Sequence, residues 1–283
     1  MSKHSKRNRS ATRSPLIIGL IAVAAVTGLW QYAQDADGKE SKVTPAGTQT
    51  TEATQTNTMA AQQGQLLARP SRNNLNKLDG KPGLHSLNLG NKRDGLIYIP
   101  RCYKPEKPAP LALVLHGAGG NAQNGLNPLR DLADDAGLLL LSVDSRGRTW
   151  DVILGQYGPD VAFIDRALQQ VFAQYAVDPQ RIAISGFSDG ASYALSLGIA
   201  NGDLFRHIVA FSPGFMAPAR QEGNPRVFVS HGTKDKVLPI DPCSRRIVPS
   251  LKRAGYAVTY DEFNGPHTLP AEIARQAIRW LDG

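Results

Sequence analysis

Three residues whose side chains can serve as nucleophile, acid and base occur in separate glycine-containing segments of this chain. The first, Ser188, is the centre of Gly186-Phe187-Ser188-Asp189-Gly190, which follows an apolar run and precedes a helix-like stretch. A strand, then G-x-S-x-G, then a helix is the pattern of a nucleophile elbow. The turn is so sharp that β-carbons at both glycine positions would collide with the backbone. The sequence therefore predicts that the Ser188 hydroxyl stands exposed above a sheet.

An acid and a histidine follow the serine in the chain order that accompanies this elbow. Asp235 lies in the loop after the apolar run 226–230, and His267 follows a second run at residues 257–260. Each side chain comes just beyond a predicted strand, at the sheet edge where open α/β sheets build ligand sites. Alternative acids remain open, namely Asp241, Asp261 and Glu262. The pattern favours Ser188, Asp235 and His267 as the three catalytic residues.

A glycine-rich loop upstream is a candidate for binding a developing negative charge. The run Leu111 to Leu115 reads as a buried strand and ends in His116-Gly117-Ala118-Gly119-Gly120. Acyl transfer concentrates charge on one oxygen, and two preorganised N–H donors stabilise it by several kcal/mol. We expect the donors to be the N–H groups of Asp189 and Ala118, with Gly119 as the rival of Ala118.

The elements that must position these groups alternate between strands and helices, which predicts an α/β fold. Continuous apolar strands separated by helices indicate a mostly parallel central sheet with helices on both faces. An antiparallel entry hairpin is predicted at residues 86–89 and 96–99. Further strands are predicted at 111–115, 138–143, 182–184, 207–211, 226–230 and 257–260, and helices at 128–136, 160–175, 191–197 and 270–280.

Residues 84–282 resemble the α/β-hydrolase superfamily, specifically the small lidless esterases of the phospholipase/carboxylesterase and polyhydroxybutyrate-depolymerase-like group. The resemblance rests on the His116-Gly117 loop, the elbow at Ser188, the segment His231-Gly232-Thr233-Lys234-Asp235 and the turn Gly265-Pro266-His267. It implies an α/β-hydrolase fold and a triad of these serine, aspartate and histidine residues that hydrolyses carboxylic esters with no metal or organic cofactor. Many relatives have Gln, Ala or Met after the nucleophile, whereas this chain has Asp189, which would repel an anionic acyl group.

Other functions compete with ester hydrolysis. The same fold supports peptidases, thioesterases and non-catalytic binding modules. The run Gly117 to Ala122 also satisfies a dinucleotide-binding fingerprint, with Asp144 ending the next strand. That loop is expected to be too long for the fingerprint, because Pro128 reads as a first-turn helix residue. The complete order of serine, acid and histidine favours an ester hydrolase.

Substrate contacts are predicted on the same edge of the sheet. Trp150, Tyr157 and Phe215 follow strands and are candidate walls of a pocket for a small or polymeric ester. Cys102 and Cys243 are a candidate disulfide, with two free thiols as the alternative. No H-E-x-x-H motif or paired-cysteine spacing indicates a metal site.

The amino-terminal segments predict export. Residues 1–14 form a basic cytoplasmic tail, and the apolar residues 15–32 are a signal anchor or a cleaved signal peptide. Both interpretations place the catalytic domain, residues 83–283, outside the cytoplasm. Residues 33–82 are rich in Thr and Gln and are expected to form a disordered linker.

The basic tail also accounts for most of the positive net charge of the chain. The formal net charge is +8, and five of these positive charges precede Ser14, so the remaining chain carries only three. A nucleic-acid partner is therefore not expected, and contact with a membrane is expected through the amino-terminal segment alone. The sequence predicts no oligomeric state.

Overall fold

The computed structural model describes residues 48–70, 80–90 and 92–282. Eight strands in this part of the chain form one sheet in the order β1-β2-β4-β3-β5-β6-β7-β8. The six strands from β3 onward are parallel to one another, whereas β1 and β2 pair antiparallel and join the sheet through β4. The strands are β1 (Gly83–Ser86), β2 (Gly95–Ile99), β3 (Ala109–Leu115), β4 (Leu139–Val143), β5 (Val177–Phe187), β6 (His207–Phe211), β7 (Arg226–Gly232) and β8 (Val258–Phe263).

Helices cover both faces of this sheet, because side chains alternate along each buried strand. In β3, Leu111 and Leu113 pack in the larger core with α3, α4 and α5, while Ala112 and Val114 pack with α2 and α6. The predicted α/β class is thereby confirmed. The helices are α1 (Thr48–Gln62), α2 (Ala122–Ala136), α3 (Pro159–Gln174), α4 (Asp189–Ala200), α5 (Ser244–Arg253) and α6 (Ala271–Asp282).

Several predicted bounds are wrong, and two of these differences have a local cause in the structure. The first strand ends at Ser86, because Asn88 adopts a left-handed conformation with φ 55° and interrupts the extended chain. Helix α2 begins at Ala122 and not near Pro128, which lies inside it. The Asn121 side chain caps the helix by accepting from the N–H of Asn124, so α2 starts directly after the glycine-rich loop.

The predicted disorder of residues 33–82 is wrong for the part that the structure describes from Thr48 onward. Residues 64–69, here called the N-terminal strap, lie across the domain, and Leu66 is fully buried. The Leu66 N–H donates to Asn201 Oδ1 at 2.8 Å, and the N–H groups of Leu67 and Ala68 donate to Asp165 Oδ1 at 2.7 Å. The strap is held by backbone hydrogen bonds to buried side chains, which the polar composition of residues 33–82 as a whole does not reveal.

The predicted basic tail, the signal anchor or signal peptide, and residues 33–47 and 71–79 of the linker lie outside the described residues. Within 48–70, 80–90 and 92–282, no helix has both the length and the hydropathy that a membrane crossing requires.

The candidate disulfide between Cys102 and Cys243 is wrong, because both thiols are free. Cys102 follows the antiparallel strand β2 and lies beside Gly137, just before β4 begins. Cys243 precedes α5, beyond the carboxyl end of β7. The two residues therefore lie toward opposite edges of the sheet, too far apart for a sulfur–sulfur bond.

Candidate active site

Ser188 occupies the turn between β5 and α4 in a strained conformation, with φ 58° and ψ −121°. A β-carbon added to Gly186 would lie 2.3 Å from the carbonyl carbon of Gly190. A β-carbon added to Gly190 would lie 2.2 Å from the carbonyl oxygen of Leu115. Only glycine fits either position. The Ser188 N–H donates to the Phe211 carbonyl at 2.9 Å, which anchors the turn to the neighbouring strand.

His267 bridges the serine and the aspartate. Its Nε2 lies 2.9 Å from Ser188 Oγ, and its Nδ1 lies 2.5 Å from Asp235 Oδ2. An ionised carboxylate only accepts hydrogen bonds, so Nδ1–H donates to Asp235 and Nε2 accepts from the serine hydroxyl. The three predicted residues therefore form one hydrogen-bonded chain, although 79 residues separate the serine from the histidine.

The loop that carries His267 reaches this position by passing very close to the end of β7. A β-carbon at Gly232 would lie 2.4 Å from the Gly265 oxygen, so this crossing requires glycine. The N–H of Thr233 donates to Phe263 and that of Lys234 to Gly265, at 2.8 and 2.9 Å. These two backbone hydrogen bonds hold the loop that carries Asp235 against the loop that carries His267.

The Asp235 carboxylate is fully buried yet held in its ionised form. Its second oxygen, Oδ1, accepts from the N–H groups of Val237 and Leu238, both at 2.8 Å. Burial favours protonation, but the hydrogen bonds from His267 and from these two N–H groups outweigh it and lower the pKa of Asp235. The carboxylate is thus suited to stabilise a positive charge on the imidazole.

His231 supports the acid and does not reach the serine hydroxyl. Its Nε2 donates to the Leu238 carbonyl at 2.8 Å and lies 3.2 Å from Asp235 Oδ2, while Nδ1 accepts from the Ser244 hydroxyl at 2.6 Å. Burial lowers the pKa of His231, which keeps the ring neutral.

Two of the alternative acids are engaged away from the serine. Asp241 and Glu262 both bind the guanidinium of Arg245, with N···O distances of 2.8 and 2.7 Å. This ion-pair cluster is largely exposed to solvent. Neither carboxylate is a hydrogen-bond partner of His267 among the described residues.

The two predicted oxyanion donors have N–H groups without a backbone acceptor in the described part of the chain. Asp189 is the first residue of α4, so its N–H has no partner within the helix. Gly119, the rival of Ala118, already donates to the Arg148 carbonyl at 2.8 Å. This bond favours Ala118 over Gly119. The Asp189 carboxylate accepts from Thr149 Oγ1 at 2.5 Å.

Two of the three predicted pocket residues are structural. Trp150 is fully buried, stacks on Tyr193 with ring centroids 5.1 Å apart, and donates its indole N–H to the His116 carbonyl at 2.9 Å. Tyr157 is also buried, and its hydroxyl donates to the Ala217 carbonyl at 2.9 Å. The prediction that they wall a pocket is wrong, because both rings turn inward. Phe215 is half-buried and stays a candidate.

A second buried carboxylate cluster supports the loop after β4 and was not anticipated from the sequence. Asp151 accepts from the Tyr193 hydroxyl at 2.8 Å and from the N–H of Asp160 at 2.9 Å. Asp160 accepts in return from the N–H groups of Asp151 and Arg146. Burial raises the pKa of Asp160 to about 6. An acidic residue in the first turn of α3 was the one local signal, and it is common to many helices.

The start of α2 is unsuited to a dinucleotide phosphate. The prediction that the glycine-rich loop is too long for this fingerprint is wrong, because the helix begins at Ala122. However, the Ala122 N–H donates to the Asp144 carboxylate at 2.7 Å. A negative group therefore already occupies the helix N-terminus at which a pyrophosphate would bind.

Comparisons with known proteins agree with this architecture. Residues 161–281 match the phospholipase/carboxylesterase family. Feruloyl esterase C of Emericella nidulans is 30% identical over 165 residues, which cover 56% of this chain and 60% of that protein. A probable feruloyl esterase C of Aspergillus oryzae is 29% identical over 167 residues, with the same shares. The chain thus spans about 60% of the length of these curated relatives.

Solved structures show the same fold at low identity. The structure of esterase PE8 has a TM-score of 0.56 and 22% identity, covering 68% of this chain and 99% of that one. The ferulic acid esterase AmCE1/Fae1A from Anaeromyces mucronatus has a TM-score of 0.55 and 18% identity, covering 73% and 93%. The sheet order, the strand-turn-helix at Ser188 and these likenesses together show that the chain has the α/β-hydrolase fold.

Proposed function

We propose that this protein is a carboxylic ester hydrolase in which Ser188, His267 and Asp235 form the catalytic triad. The observation that carries the proposal is the hydrogen-bonded chain from Ser188 Oγ through the imidazole to the buried Asp235 carboxylate. Such a chain at a nucleophile elbow converts a hydroxyl into a strong nucleophile.

The first half-reaction forms an acyl-enzyme. Ser188 Oγ attacks the ester carbonyl carbon while its proton passes to His267 Nε2, and Asp235 stabilises the imidazolium. The N–H groups of Ala118 and Asp189 bind the oxygen of the tetrahedral intermediate, on which the negative charge accumulates. The carbon–oxygen bond to the alcohol then breaks, and His267 returns its proton to the departing alcohol oxygen.

The second half-reaction releases the acid. Water gives a proton to His267 Nε2 and attacks the acyl carbon, and the new tetrahedral intermediate expels Ser188 Oγ, which recovers that proton. The products are one carboxylic acid and a free enzyme. No cofactor takes part in this scheme.

The names of the relatives point to one substrate class. Because the curated relatives are named feruloyl esterases, we include esters of aromatic acids, small or polymeric, as the first class to test. Phe215 is the remaining candidate for contact with the acyl group. Peptide and thioester cleavage, and a non-catalytic binding role, are the alternatives that the test must separate.

The amino-terminal residues indicate where in the cell the protein acts. The basic tail and the apolar segment 15–32 support an extracytoplasmic enzyme, held at the membrane by an anchor or released when a signal peptide is cleaved. Protease accessibility of the full chain in intact cells, compared with permeabilised cells, tests this location.

A fluorophosphonate probe together with a panel of p-nitrophenyl, feruloyl, thiol and peptide substrates tests the activity. We expect covalent labelling and ester turnover in the native protein, and a loss of about 10⁴- to 10⁶-fold in kcat for Ser188→Ala. Ser250→Ala, which removes an exposed hydroxyl on α5, is the matched control. Labelling that persists in Ser188→Ala, or preferential turnover of peptides or thioesters, contradicts the proposal.

A further inference from the structure

A cavity of about 320 Å³ lies beside His267, on the face of the sheet that carries α2 and α6. Gly117 of the glycine-rich loop and Phe187, the residue before the nucleophile, form part of its wall. Its other walls are mostly apolar and include Val114 and Leu129. The volume falls within the range of about 300–1,000 Å³ that is typical of small-molecule sites.

One polar side chain in this wall lacks a partner. Ser185 is 1% exposed, and its hydroxyl makes no hydrogen bond within the described residues. Ser185 pairs in register with Val114 and lies two residues before Phe187, so its side chain shares the cavity face of the sheet. A buried hydroxyl without a partner destabilises the protein. A ligand oxygen inside the cavity would supply the missing partner.

The position of His267 decides which part of an ester would enter. In the proposed mechanism, His267 Nε2 donates a proton to the alcohol oxygen, so the alcohol must lie on the histidine side of the tetrahedral carbon. The cavity is bordered by His267 and by Thr268 and Leu269, which follow it. The cavity therefore extends from the side on which the alcohol departs.

We propose that this cavity binds the alcohol portion of the ester, and that its occupant has an apolar alkyl or aryl body with an oxygen substituent that hydrogen-bonds to Ser185. The inference rests on the proposed ester hydrolysis and goes beyond it, because it assigns the selectivity for the leaving group to a defined pocket. Neither Phe215 nor the Asp189 side chain borders this cavity.

A series of esters with one shared acyl group tests the assignment. Methyl, butyl, benzyl and hydroxybenzyl esters of the same acid form the same acyl-enzyme, so differences in kcat/KM report the alcohol site alone. We expect the benzyl ester to exceed the methyl ester at least tenfold in kcat/KM. Thr268→Trp, at the exposed mouth of the cavity, should reduce that ratio severalfold. Equal ratios in both proteins would overturn the proposal.

Ser185→Ala tests the polar contact. We expect roughly a fivefold loss in the preference for the best hydroxybenzyl isomer over benzyl, the usual effect of one neutral hydrogen bond. Ser230→Ala is the matched control, because Ser230 is another buried strand serine without a hydroxyl partner and does not border the cavity. A change in the preference among acyl groups, with the preference among alcohols unaltered, would assign the cavity to the acyl side and overturn the proposal.

Binding without catalysis separates this inference from the proposed function. Benzyl alcohol should bind to the Ser188→Ala protein, as measured by chemical-shift perturbation, and Thr268→Trp in that background should weaken the binding. If native protein hydrolyses no ester while benzyl alcohol still binds, the proposed function fails and the ligand cavity stands. If esters are hydrolysed but benzyl alcohol does not bind, the cavity assignment fails alone.

Discussion

Two buried carboxylate clusters lie at the same edge of the sheet, and they differ in what the carboxylates face. Asp235 directs one oxygen at an imidazole that continues to Ser188. Asp151 is surrounded instead by backbone N–H groups and the Tyr193 hydroxyl, and its network ends there. Burial is common to both clusters. A carboxylate becomes a catalytic candidate when its hydrogen-bond partner itself titrates and contacts a nucleophile.

The second cluster also supports the loop that carries Ala118, one of the two proposed oxyanion donors. Trp150 packs between Tyr193 and His116, with ring centroids 5.1 and 4.7 Å away. The His116 imidazole Nδ1 donates to Gly117, and its Nε2 accepts from the N–H of Ser145. Burial lowers the pKa of His116, which keeps this arrangement neutral. The tyrosine-carboxylate cluster thus supports the loop before Ala118 through stacked rings.

Asp235→Asn is expected to have the largest effect, which is a loss of catalytic activity. An amide in place of the carboxylate no longer stabilises the imidazolium and favours the wrong tautomer, so kcat should fall by about 10⁴-fold. Asp241→Asn is the matched control, since that carboxylate binds Arg245 at the surface. Initial rates with a p-nitrophenyl ester measure both. Loss of activity in Asp241→Asn with full activity in Asp235→Asn would show that the acid is assigned wrongly.

Tyr193→Phe is expected to lower stability while leaving activity nearly unchanged. Removal of the hydroxyl leaves Asp151 Oδ1 buried without its side-chain donor, which should lower the free energy of unfolding by about 2 kcal/mol. We expect kcat/KM to change by less than about threefold, because no reacting group is removed. Urea denaturation and ester kinetics on the same protein measure the two effects. A large kinetic loss at unchanged stability would erase the distinction between the two clusters.

A pH dependence of the free energy of unfolding is expected from Asp160. Its pKa is raised to about 6, so the folded protein takes up a proton more readily than the unfolded chain. The stabilisation is complete below about pH 4 and is lost as the pH rises through about 6. The full loss should be about 3 kcal/mol. Unfolding free energies from pH 4 to 7 should decline in the native protein relative to Asp160→Asn. Parallel curves would contradict the expected titration.

Local sequence patterns predicted the elements of the sheet well and the orientation of single side chains poorly. Ser188 lies in a turn whose two glycines are required by close backbone contacts, and the loop of His267 passes equally close to Gly232, so short motifs were sufficient to find both residues. Trp150 and Tyr157 follow strands in the same way, but their loops turn the rings inward. No local pattern distinguishes an aromatic residue that lines a pocket from one that packs against a tyrosine three elements away.

Long-range pairing explains the remaining differences. The interaction of Asp151 with Tyr193 joins residues 42 positions apart, and that of Asp165 with Ala68 spans 97. Neither is visible in composition or periodicity. The unpartnered hydroxyl of Ser185 was equally hidden, because a serine in an apolar strand is identified as unpartnered only once its neighbours are known.

The N-terminal strap has a practical consequence for choosing an expression fragment. A fragment that starts at Gly83, where the composition changes, would delete Leu66 and remove the peptide groups that bind Asn201 and Asp165. The amide and the carboxylate would then face an emptied groove, which should make the truncated protein prone to aggregation. Aggregation of that fragment would then reflect the missing strap and would give no evidence that the protein requires a lipid bilayer. A fragment that begins at Thr48 keeps the strap and avoids this artefact.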